Sequence, residues 1–231
     1  MNVVCEWGLQ GLRASARGRV VVIVDVLSFS TAATIAVSRG ATILPCEWND
    51  ERASAMAKAE GAELASKRGE GRFSLAPASL HDIPRGFRLV LPSPNGSTLA
   101  YAARELGAAA IVIGCLRNAA AVASWAADRP VAVIAAGEKW ADGSLRFAIE
   151  DWLGAGAIVS RLAGSRSHDA EAAAAAFMSM RGMLREVLAA SRSGIELIEK
   201  GYPDDVDLAS ELDVDGAVPL LVGNAFTLAR S

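Results

Sequence analysis

The stretch that decides the fold is Arg19–Thr31, RVVVIVDVLSFST, in which five apolar residues lead into one acid and then into several hydroxyls. The apolar run Val20–Val24 is continuous rather than alternating, which predicts a strand that is buried on both faces of a sheet. Asp25 then stands at the carboxyl end of that strand. Because open α/β sheets bind ligands at the carboxyl ends of their strands, Asp25 is predicted to lie at the active-site edge.

Hydroxyl side chains follow Asp25 directly. The apolar-rich segment Ala32–Val37 predicts a helix with Ser30 or Thr31 as its N-cap. A helix start exposes unpaired N–H groups and partial positive charge, so it can bind phosphate or carboxylate. We therefore expect Ser28, Ser30 and Thr31 to bind phosphate or substrate, with ordinary helix capping as the alternative.

Units of strand, turn and alanine-rich helix repeat in the centre of the chain. They begin at RLVLPSPNGST (88–98), AAIVIGCLRNAAAVA (109–123) and PVAVIAAGEKWADGS (130–144). Such alternation predicts an α/β protein with three α/β/α layers and a sheet that is mostly parallel or mixed. No linker rich in proline, glycine or serine divides the chain, so residues 1–231 are predicted to form a single domain.

The turns after these strands are expected to meet at the edge that carries Asp25, provided that the sheet is parallel. Asn95 and Asn118 are further candidate N-caps, with Ser97 and Arg117 beside them as candidate substrate-binding residues. The polar side chains of these turns are Ser93, Asn95, Ser97, Thr98, Arg117, Asn118, Glu138, Lys139, Asp142 and Ser144.

Two adjacent acids, Glu150 and Asp151, interrupt the apolar segment FAIEDWLGAGAI. If their helix begins near Ser144, they lie in its early turns and near the same crevice. Together with Asp25 they could supply the oxygen ligands that Mg²⁺ prefers. We expect Asp25, Glu150 and Asp151 to bind the metal, and Asp25, Asn95 and Glu150 to take part in catalysis. Favourable placement of acids at a helix N-terminus is the competing explanation.

The composition limits the classes of partner and the cell compartment. The 231 residues carry a net charge of −3, which argues against a nucleic-acid partner because phosphate-backbone binding needs a clustered basic face. The three cysteines are widely spaced, and neither a signal peptide nor a membrane span is recognisable. A cytoplasmic protein without membrane contact is expected. The alanine-rich helices of the carboxyl half could bury a homodimer interface or cover the sheet.

The remaining segments give shorter elements. Mixed polarity with several glycines and prolines predicts a long loop at Ala65–Pro84, and loops of that length inside a compact domain are usually functional. The other predictions are an edge strand at Val3–Glu6, a loop at Gly8–Gly18, a strand at Ala41–Leu44, a helix at Glu51–Glu60 capped by Asp50, helices at Leu145–Leu162 and within Asp169–Glu211, and a final strand at Ala217–Val222.

Taken together and in this order, several segments resemble the 2-phosphosulfolactate phosphatase family. VVIVDVLSFSTAATIAVSRGA (21–41) is similar to the family's D-V-L-R-A-S-T-T segment, and Pro94–Ser97 is similar to its T-T-N-G-T turn. The resemblance extends to CLRNAAAV (115–122), to Ala136–Gly137, and to Glu150–Asp151 with the following GAG (154–156). It is clearest from Val20 to Leu162 and fainter to Val222.

The resemblance implies an α/β/α fold, a Mg²⁺ cofactor, and hydrolysis of a phosphate monoester on a three-carbon acid that carries carboxylate and sulfonate groups. The family is associated with coenzyme M biosynthesis. Its arginine in D-V-L-R is Ser28 in this chain, and a serine cannot replace a bidentate anion clamp. Candidate replacements are Arg68, Arg117, Lys139 and Arg146.

Three questions stay open from the sequence. The attacking group in a phosphatase could be metal-bound water or Asp25 itself, with water favoured. The substrate could be another phosphorylated hydroxy acid or a sugar phosphate. The missing arginine also leaves room for a non-catalytic module that binds or senses anions on the same fold.

Overall fold

The computed structural model describes residues 2–48 and 50–230, which form eleven β-strands and ten α-helices. The strands are β1 (Val3–Trp7), β2 (Val20–Val24), β3 (Thr42–Cys46), β4 (Glu63–Leu64), β5 (Arg88–Pro92), β6 (Ala110–Ile113), β7 (Val131–Ala135), β8 (Glu138–Lys139), β9 (Leu145–Arg146), β10 (Pro219–Val222) and β11 (Ala225–Leu228). The helices are α1 (Gly8–Ser15), α2 (Phe29–Ser38), α3 (Glu51–Glu60), α4 (Gly96–Glu105), α5 (Ala119–Trp125), α6 (Ile149–Val159), α7 (His168–Met180), α8 (Leu184–Ala190), α9 (Arg192–Glu199) and α10 (Pro203–Ser210), with a 3₁₀ helix at Pro77–Leu80.

Nine strands form one mixed sheet in the order β1-β7-β2-β6-β10-β11-β3-β5-β4, and β8 and β9 form a separate hairpin. β1, β7, β2 and β6 are parallel to one another, as are β3, β5 and β4. The hairpin β10–β11 lies between these groups and pairs antiparallel with each. The mostly parallel, mixed sheet is confirmed.

The two parallel groups nevertheless run in opposite directions, because three successive antiparallel pairings separate β6 from β3. The expectation that all the turns share one edge of a parallel sheet is therefore wrong. The opposed direction is caused by β11, a strand that was not predicted from the sequence. If β10 alone lay between β6 and β3, there would be two reversals and the two groups would run in the same direction.

β2 lies inside the sheet and is buried along its whole length, as predicted. Val20, Val22 and Val24 pack into the core formed with α5, α6 and α7. Val21 and Ile23 pack into the opposite core, formed with α1, α2 and α4. Because each fully buried side chain contributes roughly 1.5–3 kcal/mol, the valine run fixes both helical layers on the sheet. The three-layer α/β/α architecture is thus confirmed.

The predicted strand at the amino terminus is confirmed as edge strand β1, and helix α3 begins after Asp50, whose Oδ1 accepts a hydrogen bond from Arg52 N at 2.9 Å. The predicted loop at Gly8–Gly18 is wrong, since residues 8–15 form α1. Its two glycines disfavour a helix, but burial of Leu12 in the core outweighs that propensity.

Two further boundaries differ from the sequence expectation. The predicted helix from Leu145 begins only at Ile149, because residues 145–146 pair with β8 in a hairpin. The predicted loop at Ala65–Pro84 contains the short 3₁₀ helix, while the helical carboxyl half is confirmed as α7 to α10. None of the helices within the described ranges combines the length and apolar composition of a membrane span.

Glycines bring α6 close to its neighbours. A Cβ on Gly154 would lie 2.7 Å from a methyl group of Val26, and a Cβ on Gly156 would lie 2.1 Å from the carbonyl oxygen of Ala173 in α7. The second contact involves main chain, which cannot rotate away. Gly156 therefore sets the distance between α6 and α7, and through α6 the position of Glu150 and Asp151.

We predict that Gly156→Ala lowers the free energy of unfolding by about 2–3 kcal/mol, because the added methyl group forces the two helices apart. Urea unfolding followed by circular dichroism measures the change. Gly182→Ala is the matched control, since nothing lies within 4 Å of a Cβ at that position. Equal stability of the two variants would contradict the close packing described here.

Candidate active site

The main chain around Asp25 is fixed by the hydroxyl of Ser30. Ser30 Oγ accepts a hydrogen bond from Asp25 N at 2.8 Å and donates to the carbonyl of Ile23 at 3.2 Å, while Ser30 N donates to the carbonyl of Asp25 at 2.7 Å. Helix α2 begins at Phe29 with Ser28 at the N-cap position, so the predicted N-cap at Ser30 or Thr31 is wrong. The hydroxyl of Ser30 is already occupied in holding the turn that presents Asp25.

The carboxylate of Asp25 lies at the starts of two helices. Its Oδ1 accepts a hydrogen bond from Phe29 N of α2 at 3.4 Å, and its Oδ2 accepts one from Gly96 N of α4 at 3.0 Å. Ser93 Oγ donates to the same Oδ2 at 3.3 Å. Four strands separate β2 from β5 in the sheet order, and the two strands belong to opposed groups. The turns that follow them nevertheless meet at Asp25.

Burial and the carboxylate of Glu138 together raise the pKa of Asp25 to about 7. The hydrogen bonds from Phe29, Gly96 and Ser93 oppose this shift because they stabilise the ionised form. Burial also raises the pKa of Glu138, while Asn95 and Arg146 act in the opposite direction. The site therefore holds one carboxyl group, that of Asp25, whose pKa lies near neutral pH, beside a second whose pKa is raised.

Asp151 connects the start of α6 to the turns that follow β2 and β7. Its Oδ1 accepts a hydrogen bond from Val26 N at 2.7 Å, and its Oδ2 accepts one from Gly137 N at 2.8 Å. Burial, with repulsion from Asp25 and Glu150, raises the pKa of Asp151 well above its usual value. Both oxygens of Asp151 thus organise main chain around the site.

Glu150 is only 2% exposed, and no hydrogen bond from the described residues reaches its carboxylate. Its charge acts on both Asp151 and Glu138. Within residues 2–48 and 50–230, no three histidine, cysteine, aspartate or glutamate side chains form a cluster that could hold a metal ion. The trio predicted as metal ligands, Asp25, Glu150 and Asp151, is not a preformed three-acid site, and its metal binding stays a prediction.

Asp25 opens into a cavity of about 310 Å³. Asn95 lines it and donates through Nδ2 to Glu138 Oε2 at 2.9 Å. Three of the predicted site residues, Asp25, Ser28 and Asn95, therefore meet in one cavity. The complete lining is Asp25, Leu27, Ser28, Leu75, Ser93, Pro94, Asn95, Glu138 and Lys139. We refer to it as the Asp25 cavity.

A second cavity of about 410 Å³ adjoins the Asp25 cavity and shares Ser28, Glu138 and Lys139 with it. Five cationic side chains and two acidic ones, Glu138 and Glu196, line this second cavity, which we call the basic cavity. The cationic side chains are Arg68, Lys139, Arg146, Arg192 and Lys200. Such a lining attracts anions.

Arg68 reaches the basic cavity from the loop at residues 65–84. Its Nη2 donates to Ser28 Oγ at 2.7 Å and to the carbonyl of Leu75 at 3.2 Å. Asp205 of α10 lies 3.3 Å from Arg68 Nε. A functional role was predicted for this loop, and Arg68 is the candidate for it. Its guanidinium group lies beside Ser28, which stands where the family pattern has an arginine.

The family model described as 2-phosphosulpholactate phosphatase matches residues 9–224 of this chain. The chain belongs to the 2-phosphosulfolactate phosphatase family. This is a family of phosphoric monoester hydrolases, so the enzyme class predicted from the sequence is confirmed.

Curated relatives in this family cover most of the chain. The 2-phosphosulfolactate phosphatase of Methanothermobacter thermautotrophicus is 31% identical over 205 residues, which is 86% of this chain and 85% of the relative. Probable 2-phosphosulfolactate phosphatases of Gloeobacter violaceus and Thermotoga maritima are each 28% identical, over 86% and 91% of this chain and over 86% and 92% of their own lengths.

Several polar residues that the family pattern singled out bond to main chain rather than line the Asp25 cavity. Thr31 Oγ1 donates to the carbonyl of Val26 at 2.7 Å, and Ser97 Oγ accepts from Cys46 N at 3.0 Å. Asn118 stands at the N-cap position of α5, but its Nδ2 donates to the carbonyl of Ala217 at 2.9 Å. These contacts stabilise turns, and substrate binding by the three residues stays a prediction.

Arg117 lies apart from the Asp25 cavity. It pairs with Glu211, donates to the carbonyl of Leu208 at 2.9 Å, and lines a different cavity with His81 and Asp215. The structure therefore does not bring Arg117 together with Asp25. β6 runs parallel to β2, so strand direction does not separate the two; the Arg117 side chain is instead held by Leu208 and Glu211.

Sequence reasoning missed other residues of the two cavities. Glu138 follows β7 and is among the polar turn residues expected at the Asp25 edge, but it was not singled out as a catalytic or metal-binding residue. Arg192 and Lys200 come from the carboxyl-terminal helical region, where no strand end or turn pattern marks them. Asp205 lies on α10, a helix whose acidic first turn looks like ordinary capping.

The raised pKa of Asp25 predicts how stability depends on pH. An unfolded chain has an aspartate pKa of about 3.9, whereas folding raises it to about 7. Between these values the folded state binds more protons, so the free energy of unfolding falls as the pH rises. Asp25→Asn removes this penalty.

In chelator-containing buffer, we expect the melting temperature of Asp25→Asn to rise relative to the unaltered chain between pH 4.5 and pH 7.5. One pKa unit corresponds to about 1.4 kcal/mol, and each 1 kcal/mol of the penalty corresponds to roughly 2–4 °C for a chain of this size. Asp82→Asn, at an exposed loop position, is the control. A difference in melting temperature between Asp25→Asn and the unaltered chain that does not change with pH would contradict the raised pKa of Asp25.

Proposed function

We propose that this chain is a Mg²⁺-dependent phosphatase that hydrolyses 2-phospho-3-sulfolactate to 3-sulfolactate and phosphate. The observation that carries the proposal is the carboxylate of Asp25, which is 6% exposed, lies at the starts of α2 and α4 and opens into a cavity. Phosphoryl transfer depends on positioning and on charge neutralisation, and a fixed carboxylate beside other acids could hold the cation that supplies both.

The substrate follows from the curated relatives and from the charges of the two cavities. The relative from Methanothermobacter is named for 2-phosphosulfolactate. That ester carries phosphate, carboxylate and sulfonate groups on three carbons. An acidic cavity next to a basic one suits such a molecule, because the reacting phosphate and the other acid groups need different surroundings.

Oxygen ligands near Asp25 suit Mg²⁺, which binds through one or two carboxylates together with water and substrate phosphate. Asp25 and Glu138 line one cavity, and burial and mutual repulsion raise the pKa of the site's carboxyl groups. A cation would relieve that repulsion. Asp25 with Glu150, aided by Glu138, would hold the ion, while Asp151 orients the turns. When bound, Mg²⁺ would neutralise charge on the phosphate.

The protein's own groups have separate tasks in the proposed reaction. Asn95 and Ser28 contact the ester in the Asp25 cavity, and water attacks phosphorus while the bond to the alcohol oxygen breaks. The proton of the attacking water passes to the leaving alcohol oxygen, so that the products are the alcohol and phosphate. Glu138 holds Asn95 in place through its hydrogen bond.

Steady-state assays test the proposal. We predict that the unaltered chain releases phosphate from 2-phosphosulfolactate with Mg²⁺ and loses this activity in chelator. Asp25→Asn should lower kcat by about 1,000-fold or more, since a neutral amide does not replace a carboxylate as a ligand of the cation. Asp82→Asn serves as the control. Full activity of Asp25→Asn would overturn the site assignment.

A panel of phosphate monoesters distinguishes the remaining alternatives. Turnover of a sugar phosphate or another phosphorylated hydroxy acid in preference to 2-phosphosulfolactate would change the substrate but keep the reaction. Binding without turnover of every ester, with and without Mg²⁺, would favour a non-catalytic anion-binding protein. The cytoplasmic location, the role in coenzyme M biosynthesis, the homodimer and the lack of a nucleic-acid partner stay predictions.

The identity of the attacking group has its own test. Acid quench during the first turnover, followed by borohydride reduction, should leave Asp25 unchanged, since water is expected to attack phosphorus directly. Conversion of Asp25 to homoserine would instead indicate a phosphoaspartate intermediate.

A further inference from the structure

The basic cavity contains three arginines, and they differ in how their charge is compensated. Arg68 pairs with Asp205 at 3.3 Å, and Arg192 pairs with Glu196 at 3.3 Å. Arg146 forms no ion pair with any carboxylate of the described residues. Arg146 is therefore the guanidinium whose charge is not matched by a directly bound acid.

Arg146 is also deeply buried, with 9% of its surface exposed. Its Nη2 donates to Ser193 Oγ at 3.2 Å, and its guanidinium lies 5.9 Å from the ring centroid of Trp140. Neither partner carries a charge. The acid that acts on it is its cross-strand neighbour Glu138, whose pKa Arg146 lowers although the two groups form no ion pair. An acid group of a ligand in direct contact with the guanidinium would compensate the buried charge more fully.

The position of Arg146 limits what that ligand can be. Arg146 lines the basic cavity, which adjoins the Asp25 cavity through Ser28, Glu138 and Lys139. A group bound there can belong to the same small molecule that reacts at Asp25. Arginine binds carboxylate and sulfonate oxygens through paired N–H donors, which gives direction as well as charge.

We propose that Arg146 is a specificity-determining residue that binds an acid group of the substrate remote from its phosphate. Arg68 flanks the same ligand from the Ser28 side. The inference rests on the proposed phosphatase function, and it identifies the contact by which esters with a remote acid are selected. Carboxylate and sulfonate share the required chemistry.

The direct test compares Arg146→Met with Arg192→Met, a change at an arginine of the same cavity whose side chain is 62% exposed and paired. We expect Arg146→Met to raise KM for 2-phosphosulfolactate by about 30-fold or more, the usual effect of truncating one partner of a buried charge pair. Arg192→Met should raise it by less than about 3-fold. Equal increases in KM for Arg146→Met and Arg192→Met would overturn the proposal in favour of a general electrostatic effect.

Substrates without the remote acid provide the specificity readout. For glycerol 2-phosphate, kcat/KM should be the same for Arg146→Met and the unaltered chain. Esters with only a carboxylate, such as 2-phospholactate, or only a sulfonate, such as the phosphate ester of isethionate, identify which group Arg146 binds. If Arg146→Met lowered kcat/KM as much for glycerol 2-phosphate as for 2-phosphosulfolactate, a role of Arg146 in specificity would be contradicted.

Binding measurements separate this inference from the proposed function. Titration calorimetry with 3-sulfolactate should show weaker binding to Arg146→Met, whereas inorganic phosphate should bind both proteins alike. If the unaltered chain hydrolyses no ester but this difference appears, the inference stands and the phosphatase proposal fails. If hydrolysis occurs with unchanged KM in Arg146→Met, only the inference fails. Should Arg146→Met not fold, Arg146→Lys replaces it, with an expected loss of about 5-fold.

Discussion

The hydrogen bond from Gly96 N to Asp25 Oδ2, at 3.0 Å, is the constraint on which the site depends. It connects the end of β2 to the start of α4, two places separated by four strands in the sheet. A Cβ on Gly96 would lie 3.0 Å from that carboxylate oxygen and 2.3 Å from the ring of Phe29, so only glycine allows the contact. Gly96 thus permits the turn after β5 to reach the buried acid at the end of β2.

The second consequence of this arrangement is electrostatic. Main-chain amides from α2 and α4 stabilise the ionised form of Asp25, whereas burial and nearby carboxylates oppose it, and the balance leaves its pKa about 7. Arginines and lysines gather on the adjoining side, where α9 and the β8–β9 hairpin meet. An acidic reaction centre beside an anion-attracting cavity explains why a phosphatase of this family would favour substrates with additional acid groups.

The sequence predicted features that depend on local periodicity. β2 and the acid at its end could be predicted because a continuous valine run has few alternatives. Long-range features could not be predicted: the contact between Asp25 and Gly96, and the approach of Arg192 from the carboxyl-terminal helices, have no local signature. Ser30 shows a third case, since a hydroxyl read as a helix cap is used to hold the preceding turn.

The most direct test of the central claim is a crystal structure of the chain with Mg²⁺, phosphate and 3-sulfolactate. The account predicts the ion and phosphate in the Asp25 cavity, with Asp25 as a ligand of the metal and an acid group of 3-sulfolactate on Arg146. Ligands bound instead beside Arg117, with Asp25 contacting only its main-chain partners and Ser93, would contradict it.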